Sequence, residues 1–247
     1  MDHSYAIGLV VLGLAVVQSL FGMGILVFGT PTLLLLGIEF SSVLGWLLPS
    51  SLAISALQVW GDRRKAAQTP SHLVIRYWSV AVPLLAALSF MLLSHMKASV
   101  ELWVGLAMLT AAVLRGSDLI RQWLRGFILR HERAYLVLMG AFHGFTNMGG
   151  AALAIYSSSV TDNKHAMRAL ISRYYLLFGS IQIVALVLLQ PASLRALGLA
   201  LAPLSALIYV FLGSWAFERL KASIYERAFT GFIAAYGLAL LGKNYLR

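Results

Sequence analysis

The amino-acid sequence predicts an all-α, polytopic integral membrane protein made of two inverted repeats, each a broken, re-entrant helical hairpin followed by three transmembrane helices. Of its 247 residues, 60% are hydrophobic and 11% are charged, and most of the hydrophobic residues fall in long, continuous runs. A transmembrane helix needs about 20 apolar residues, whereas the strands of a transmembrane barrel alternate apolar and polar residues. The continuous runs therefore predict membrane-spanning helices.

Eight apolar blocks lie along the chain, and a basic segment in the middle divides them into two sets of four. They cover 5–37, 42–60, 74–94 and 99–114, and then 134–160, 169–189, 198–217 and 228–242. The first block of each set is longer than one span requires. We therefore predict a first transmembrane repeat at 1–114, a basic amphipathic linker on the cytoplasmic membrane surface at 115–133, and a second transmembrane repeat at 134–247.

Glycine and proline interrupt the first long block within the stretch FGMGILVFGTP, residues 21–31. Shifted by 125 positions, GMGILVFGTP at 22–31 lies over NMGGAALAIY at 147–156, with Met-Gly in register, and Gln18 lies over His143. This pairing indicates an internal repeat. Thr30 and Pro31 also have the pattern of a helix start, with threonine as the N-cap and proline at the first helical position.

The distribution of Lys and Arg favours one way of threading the two long blocks. If each long block crossed the membrane once, the two faces would carry 12 and 7 basic residues. If each is a hairpin that enters and leaves on the same face, the counts become 15 and 4, as the positive-inside rule prefers. The two halves then have opposite orientations and both termini lie outside. The net charge of +10 is thus explained by membrane orientation, and nucleic acid is not an expected partner.

The two breaks carry the candidate binding site. Non-helical backbone at membrane depth must be buried in protein or line a wet cavity. A helix that begins there presents free N–H groups and a partial positive charge, which suit an anion. We therefore expect a small anion to bind at mid-membrane between the two hairpins. The candidate substrate-binding residues are Gln18, Gly22, Gly24, Thr30, Ser51, His143, Asn147, Gly149, Gly150, Tyr156, Ser172 and Arg173.

Several of these residues also have a purely structural explanation. Gly-x-Gly in an apolar helix commonly permits close helix packing, and a membrane serine usually bonds its own helix backbone. Ser51 and Ser172 rank above the other serines because they follow the two hairpins at similar offsets. Arg173 is either a counter-ion in the cavity or a side chain that extends to the cytoplasmic rim. Without a carboxylate at mid-membrane, His143 is the candidate group for proton coupling.

Other classes of function are less well supported by the residues. The absence of cysteine excludes disulfides and thiolate metal sites, and we predict no catalytic residue, no metal and no cofactor. His143 with Ser157, Ser158 and Ser159 leaves an intramembrane hydrolase open as the alternative, although no third, orienting group is evident. A non-transporting membrane subunit is the other alternative. A homo-oligomer also stays open.

The motif Gly-x-Gly, a short apolar stretch, proline and LLLLG, followed by a serine-containing span, resembles the TauE/SafE-type sulfite exporter family (TSUP). Members carry a glycine-rich motif ending in proline near the N-terminus and a second copy in mid-chain. This chain departs at Ile25, where a third glycine is common, at Asn147, which replaces a glycine, and at Tyr156, which replaces the second proline. The resemblance implies a multi-pass secondary transporter of the bacterial cytoplasmic membrane. It would export, or less often import, sulfite, sulfonates or related small organic anions.

Overall fold

The computed structural model describes residues 3–61, 73–94, 109 and 118–245, and every regular element in these ranges is helical. The helices are α1 (His3–Phe21), α2 (Ile25–Leu35), α3 (Phe40–Gly61), α4 (Leu73–Ser94), α5 (Asp118–Arg130), α6 (Glu132–Thr146), α7 (Gly150–Val160), α8 (Lys164–Leu189), α9 (Ala196–Ile208), α10 (Ser214–Arg219) and α11 (Ala222–Tyr245). A 3-10 turn, Pro191–Ser193, precedes α9, and a π-helical turn, Tyr209–Gly213, joins α9 to α10.

Length and composition confirm the predicted class of all-α membrane protein. Within the described ranges, five helical segments are long and apolar enough to cross a membrane: α1, α3, α4, α8 and the continuous α9–α10 segment Ala196–Arg219. The helices α2 and α7 are apolar but shorter, with 11 residues each. The predicted block at 99–114 lies outside the described residues.

Both long blocks are broken where the sequence predicts. The helix α1 ends at Phe21 and α2 begins at Ile25, and α6 ends at Thr146 and α7 begins at Gly150. The 125-residue shift places each of these helix ends on its counterpart. The broken segments therefore agree in the length of the interruption as well as in its residues.

The first residue of each break has a positive φ. The φ angle is 78° at Gly22 and 58° at Asn147. Glycine adopts this left-handed region without steric cost, and asparagine is among the few other residues that do so readily. The replacement of glycine by Asn147 in the second motif therefore preserves the backbone turn.

The predicted helix start at Thr30 and Pro31 is wrong. The helix α2 begins six residues earlier, at Ile25 with Gly24 as its N-cap, and Pro31 lies inside it. Proline has no N–H to donate to the carbonyl four residues back, but a transmembrane helix tolerates this where neighbouring helices cover the backbone. Residues 25–31 are all buried, so the chain continues as a helix past the proline.

Each broken segment folds back as a hairpin. A Cβ atom at Gly29 of α2 would lie 3.3 Å from the Leu14 side chain of α1. The hydroxyl of Tyr135 on α6 donates a hydrogen bond of 2.7 Å to the carbonyl of Ala152 on α7. Residues after each break therefore lie beside residues before it, and the arms of each hairpin run in opposite directions.

The helix contacts of the two halves are reciprocal. The first arm of each hairpin packs against the fourth helical segment of the other half, α1 on α9 and α6 on α4. Gly140 and Gly144 permit close packing of α6, since a Cβ at either position would collide with the backbone of α4 at Val80 or Leu84. The central helices α3 and α8 also contact each other, and each contacts the other half's next helix, α9 or α4.

Polar contacts at one end of the bundle identify the face that carries α5, which we call the linker face. Arg125 of α5 lies 3.3 Å from Asp162, between α7 and α8. At the same end, Arg76 at the start of α4 pairs with Glu132 at the start of α6 at 3.1 Å. Lys164, the first residue of α8, donates to carbonyls at the end of α10.

The opposite face holds the starts of α1, α3 and α9. Arg195, just before α9, donates to the Ser42 hydroxyl near the start of α3 at 3.0 Å. The final helix α11 begins at the linker face and passes α2, where the Tyr236 hydroxyl donates to the Phe28 carbonyl at 2.6 Å. The start of α1 and the end of α11 therefore lie toward the same face.

Candidate functional site

The two breaks lie next to each other in the protein interior. A Cβ at Gly150, the first residue of α7, would lie 3.0 Å from the Val27 side chain of α2 and 3.1 Å from the Met23 sulfur in the first break. Most of the predicted polar site residues are at most 1% exposed: Gln18, Thr30, Ser51, His143, Asn147, Tyr156 and Ser172. The site is therefore closed to solvent in this conformation.

Gln18 holds the start of α2. Its Oε1 accepts the backbone N–H of Ile25 at 3.2 Å, which satisfies one of the donors left free at a helix N-terminus. Its Nε2 donates to the Ser51 carbonyl at 2.9 Å and approaches the hydroxyls of Ser51 and Ser55 at 3.0 and 3.2 Å. Gln18 thus connects the first break to α3.

His143 holds the start of α7 in the same way. Its Nδ1 lies 3.0 Å from the backbone nitrogen of Gly149 and accepts that N–H. Its Nε2 faces Oε1 of Gln182 at 3.4 Å, so the proton of the ring belongs on Nε2. Protonating Nδ1 would place a second hydrogen against the Gly149 N–H. The hydrogen bonds therefore favour a neutral imidazole that acts as a helix cap.

Two glycines at equivalent positions leave room for these caps. A Cβ at Gly24 would lie 2.7 Å from the backbone nitrogen of Gln18, and a Cβ at Gly149 would lie 2.6 Å from Cβ of His143. Each glycine follows its capping residue by six positions. Any side chain at these glycines would displace the cap. Steric contact therefore explains the glycine of the Met-Gly pair in both motifs.

The hydrogen-bond network at the second break extends into the first half of the chain. Gln182 of α8 donates from Nε2 to Oδ1 of Asn147 at 3.0 Å, and Asn147 donates from Nδ2 to the Thr30 hydroxyl at 2.8 Å. Asn147 therefore both forms the turn and bonds α8 to α2. Thr30 binds the opposite break instead of capping its own helix.

The hydrogen-bond network at the first break extends into the second half of the chain. Gln58 of α3 donates from Nε2 to the carbonyl of Gln18 at 3.0 Å, and its Oε1 accepts from the Ser172 hydroxyl of α8 at 2.9 Å. A Cβ at Gly22 would lie 3.1 Å from that hydroxyl and from the Arg168 carbonyl. Gly22 therefore permits the close approach of the first break to α8.

Gln58 and Gln182 are polar residues at membrane depth that rank below Ser51 and Ser172 from sequence alone, yet both bond residues at or beside the breaks, and they are structural equivalents. Counted from the first residue of its helix, α3 or α8, each glutamine occupies the same position. Ser51 and Ser172, which follow the two hairpins at similar offsets, do not occupy the same position by this count, because Ser172 lies nearly one helical turn closer to the start of its helix. The 125-residue shift does not align the two glutamines, because it places Gln58 one position beyond Gln182. The loop before α8 is one residue shorter than the loop before α3.

Tyr156 and Arg173 do not join the residues at the breaks. Tyr156 lies six residues into α7, roughly 9 Å from the break at 1.5 Å per residue, and its hydroxyl donates to Glu132 at 2.6 Å. Arg173 is partly exposed and lies close enough to Tyr77 of α4 to interact with it electrostatically. Both side chains lie toward the linker face, which for Arg173 is the second of its two predicted alternatives.

A different arginine is buried. Arg168 is 3% exposed, and its guanidinium carbon lies 3.5 Å from the centre of the Phe217 ring. The sequence places Arg168 in the basic segment between two apolar blocks, where basic residues are expected to face water. Because α8 already begins at Lys164, Arg168 falls on a buried turn of that helix.

The serines near the end of α7 are bonded to their own helix. Ser157 and Ser158 donate to the Ala154 carbonyl, and Ser158 and Ser159 donate to the Ile155 carbonyl, at 2.9–3.0 Å. His143 is bonded to Gly149 and Gln182. The serine–histidine pair that a hydrolase would need is therefore not formed by these residues.

Comparisons with known proteins give a match at the level of the family. The family described as "Sulfite exporter TauE/SafE" matches residues 7–240, nearly the whole chain. Searches of curated proteins and of solved structures found no match.

Proposed function

Because this chain belongs to the TauE/SafE sulfite exporter family, we propose that it is a secondary transporter, expected to act as an exporter, that carries sulfite, a sulfonate or a related small anion. The proposed site is the pair of breaks between the two hairpins. The proposed location is the cytoplasmic membrane of a bacterium, with both termini outside and the linker face in the cytoplasm. The distribution of basic residues supports this orientation.

The observation that carries the proposal is the meeting of two helix starts, α2 and α7, in a buried polar centre. A helix N-terminus attracts negative charge through its free N–H groups and its dipole. The side chains bonded around the two breaks are Gln, Ser, Thr, Asn and His, all of which are uncharged here. An anion can therefore be attracted without the cost of a permanently buried lysine.

Reciprocal packing supports an alternating-access mechanism based on inverted repeats. Each hairpin rests on helices of the other half, and α3 and α8 cross in opposite directions, since Leu52 contacts Gly179 while Gln58 contacts Ser172. Two related packings of such halves would open the centre to one face or the other in turn. The closed centre described above corresponds to an occluded state of this cycle.

The test is flux through the purified protein in liposomes. We expect movement of sulfite or of a small sulfonate such as methanesulfonate, driven by its own gradient, and no comparable movement in empty liposomes. Substrate added on either side, with the protein's orientation determined by protease, would give the preferred direction. A folded protein that moves none of these anions would contradict the proposal, and a non-transporting subunit would then be the better explanation.

A further inference from the structure

Tyr175 of α8 presents a buried hydroxyl to the start of α7. The residue is fully inaccessible to solvent, and its hydroxyl has no hydrogen-bond partner among the residues that the structure describes. The hydroxyl lies against Gly150, where an added Cβ would collide with it. Gly150 is the first residue of a helix of 11 residues, so a free donor and a helix N-terminus meet at one point.

The equivalent position in the first half is occupied differently. Counted from the start of each helix, Tyr175 in α8 occupies the position that Ser51 occupies in α3. Ser51 is bonded to Gln18, and Gln18 takes the N–H of Ile25 at the start of α2. At this position the first half therefore has a hydroxyl that is already hydrogen-bonded, whereas the second half leaves the Tyr175 hydroxyl open.

A buried hydroxyl without a partner is unfavourable, so a partner in another state of the transport cycle would stabilise it. The partner must accept a hydrogen bond, and the adjacent helix N-terminus adds a partial positive charge of about half an elementary charge. The bonded side chains nearby add no full charge. Such a site balances one negative charge far better than two.

We propose that the Tyr175 hydroxyl and the N-terminus of α7 form the subsite for a singly charged oxyanion, with the first break serving as its structural counterpart. This inference rests on the proposed transport function and names the charge class of its substrate. Sulfonates and hydrogen sulfite belong to this class, while sulfate does not. The oxyanion reaches the subsite when the two hairpins separate, because both Tyr175 and Gly150 are closed to solvent in the conformation described.

The first test compares Tyr175→Phe with Tyr174→Phe. Tyr174 is the adjacent buried tyrosine, but its ring packs against Tyr77 and Tyr156, away from Gly150. Using methanesulfonate and purified protein, we expect about ten-fold or greater loss of affinity in Tyr175→Phe, as for a lost hydrogen bond to a charged group, and little change in Tyr174→Phe. Equal affinity of Tyr175→Phe and the unaltered protein would overturn the inference.

A second pair of variants separates packing from chemistry. Gly150→Ala should lower both thermal stability and methanesulfonate affinity, because its methyl group meets the Tyr175 hydroxyl. Adding Tyr175→Phe removes that oxygen, so Gly150→Ala with Tyr175→Phe should regain stability but not affinity. Recovery of affinity in the double variant would show that the hydroxyl does not bind the anion and would overturn the inference.

The charge class has its own test. Methylphosphonate changes from one negative charge to two as pH rises through its second ionisation, whereas methanesulfonate keeps one. We expect methylphosphonate binding to weaken over that range and methanesulfonate binding to stay constant. Tighter binding of the dianion would overturn the assignment. A protein that transports sulfonates normally with Tyr175→Phe would refute this subsite alone, whereas failure of every anion would refute the transport function as well.

Discussion

Gln18 and His143 show how two different side chains do the same work at equivalent positions. Each accepts a backbone N–H where the chain resumes a helix after a break, at 3.2 and 3.0 Å. An amide oxygen and an unprotonated imidazole nitrogen are both acceptors. The pairing of these residues in the sequence therefore reflects a shared capping role, and the histidine is held by hydrogen bonds that suit its neutral form.

His143 can accordingly be replaced by another acceptor. We expect His143→Gln to keep most of the anion flux and His143→Ala to lose it, because alanine leaves the Gly149 N–H and the Oε1 atom of Gln182 without their His143 partner. The pH profile of flux in liposomes should be the same for His143→Gln as for the unaltered protein. An active His143→Gln with a shifted profile would instead make the imidazole the proton-coupling group.

The glycines beside these caps define a second residue-scale prediction. Gly24→Leu and Gly149→Leu should reduce flux to background while the protein still inserts, because the side chains would enter the space of Gln18 and His143. Gly13→Leu is the matched control on α1, since a Cβ there meets nothing within 4 Å. Flux and membrane content should be measured together. Normal flux through Gly149→Leu would remove this break from the pathway.

At the scale of the helices, the broken hairpins are held by elements outside themselves as well as by their own caps. Gln58 of α3 bonds the first break and reaches Ser172, and Gln182 of α8 bonds Asn147 in the second. Unpaired backbone and amide groups are costly in a membrane interior, so a break survives only where other helices supply partners. The two glutamines therefore stabilise the breaks at equivalent points of the two halves.

Removing either glutamine should destabilise the protein by a similar amount. Gln58→Leu and Gln182→Leu each leave buried polar groups without a hydrogen-bond partner. We expect each substitution to lower the free energy of unfolding by about 1–3 kcal/mol. Thermal unfolding in detergent should show both effects. Gln190→Leu is the control, because Gln190 bonds the Leu92 carbonyl at the partly exposed end of the bundle, where water can replace it. A cost for Gln190→Leu equal to the other two would contradict the importance of the central networks.

At the scale of the whole molecule, the two halves are interlocked. Each hairpin packs on the other half, and the polar networks of both breaks end on the opposite half, at Ser172 and at Thr30. The two break regions are thus in direct contact with each other. This arrangement suits a carrier whose halves move relative to each other around a central site.

The proposed orientation can be tested by labelling single cysteines, since the natural chain has none. Lys221→Cys at the linker face should react with an impermeant maleimide only after the cells are permeabilised. Ala192→Cys, exposed at the opposite face, should react in intact cells. A reporter fused after Arg247 should likewise read as external. The reverse pattern, or a cytoplasmic reporter, would contradict the predicted topology.

Much of this architecture can be predicted from sequence because its causes are local. A run of about 20 apolar residues is sufficient for a membrane helix, and Gly22 and Asn147 can turn the backbone wherever they occur. Predictions of the exact residue at which a helix begins were less successful. Pro31 can begin a helix or lie within one, and only the burial of residues 25–31 by other helices shows which.

The sequence by itself determined the helical membrane class, the two breaks and the family, since hydropathy, glycine placement and motif spacing can all be read along the chain. The tertiary structure alone decided which side chains meet at the breaks. Gln58, Gln182 and Tyr175 arrive from α3 and α8, and a one-residue difference in loop length hides their equivalence. Tyr156 lies away from the breaks because the rise of α7 carries it toward the linker face, whereas Arg173 follows Ser172 directly but has its side chain near Tyr77 of α4. Contacts between distant segments depend on how helices pack, which no local pattern records.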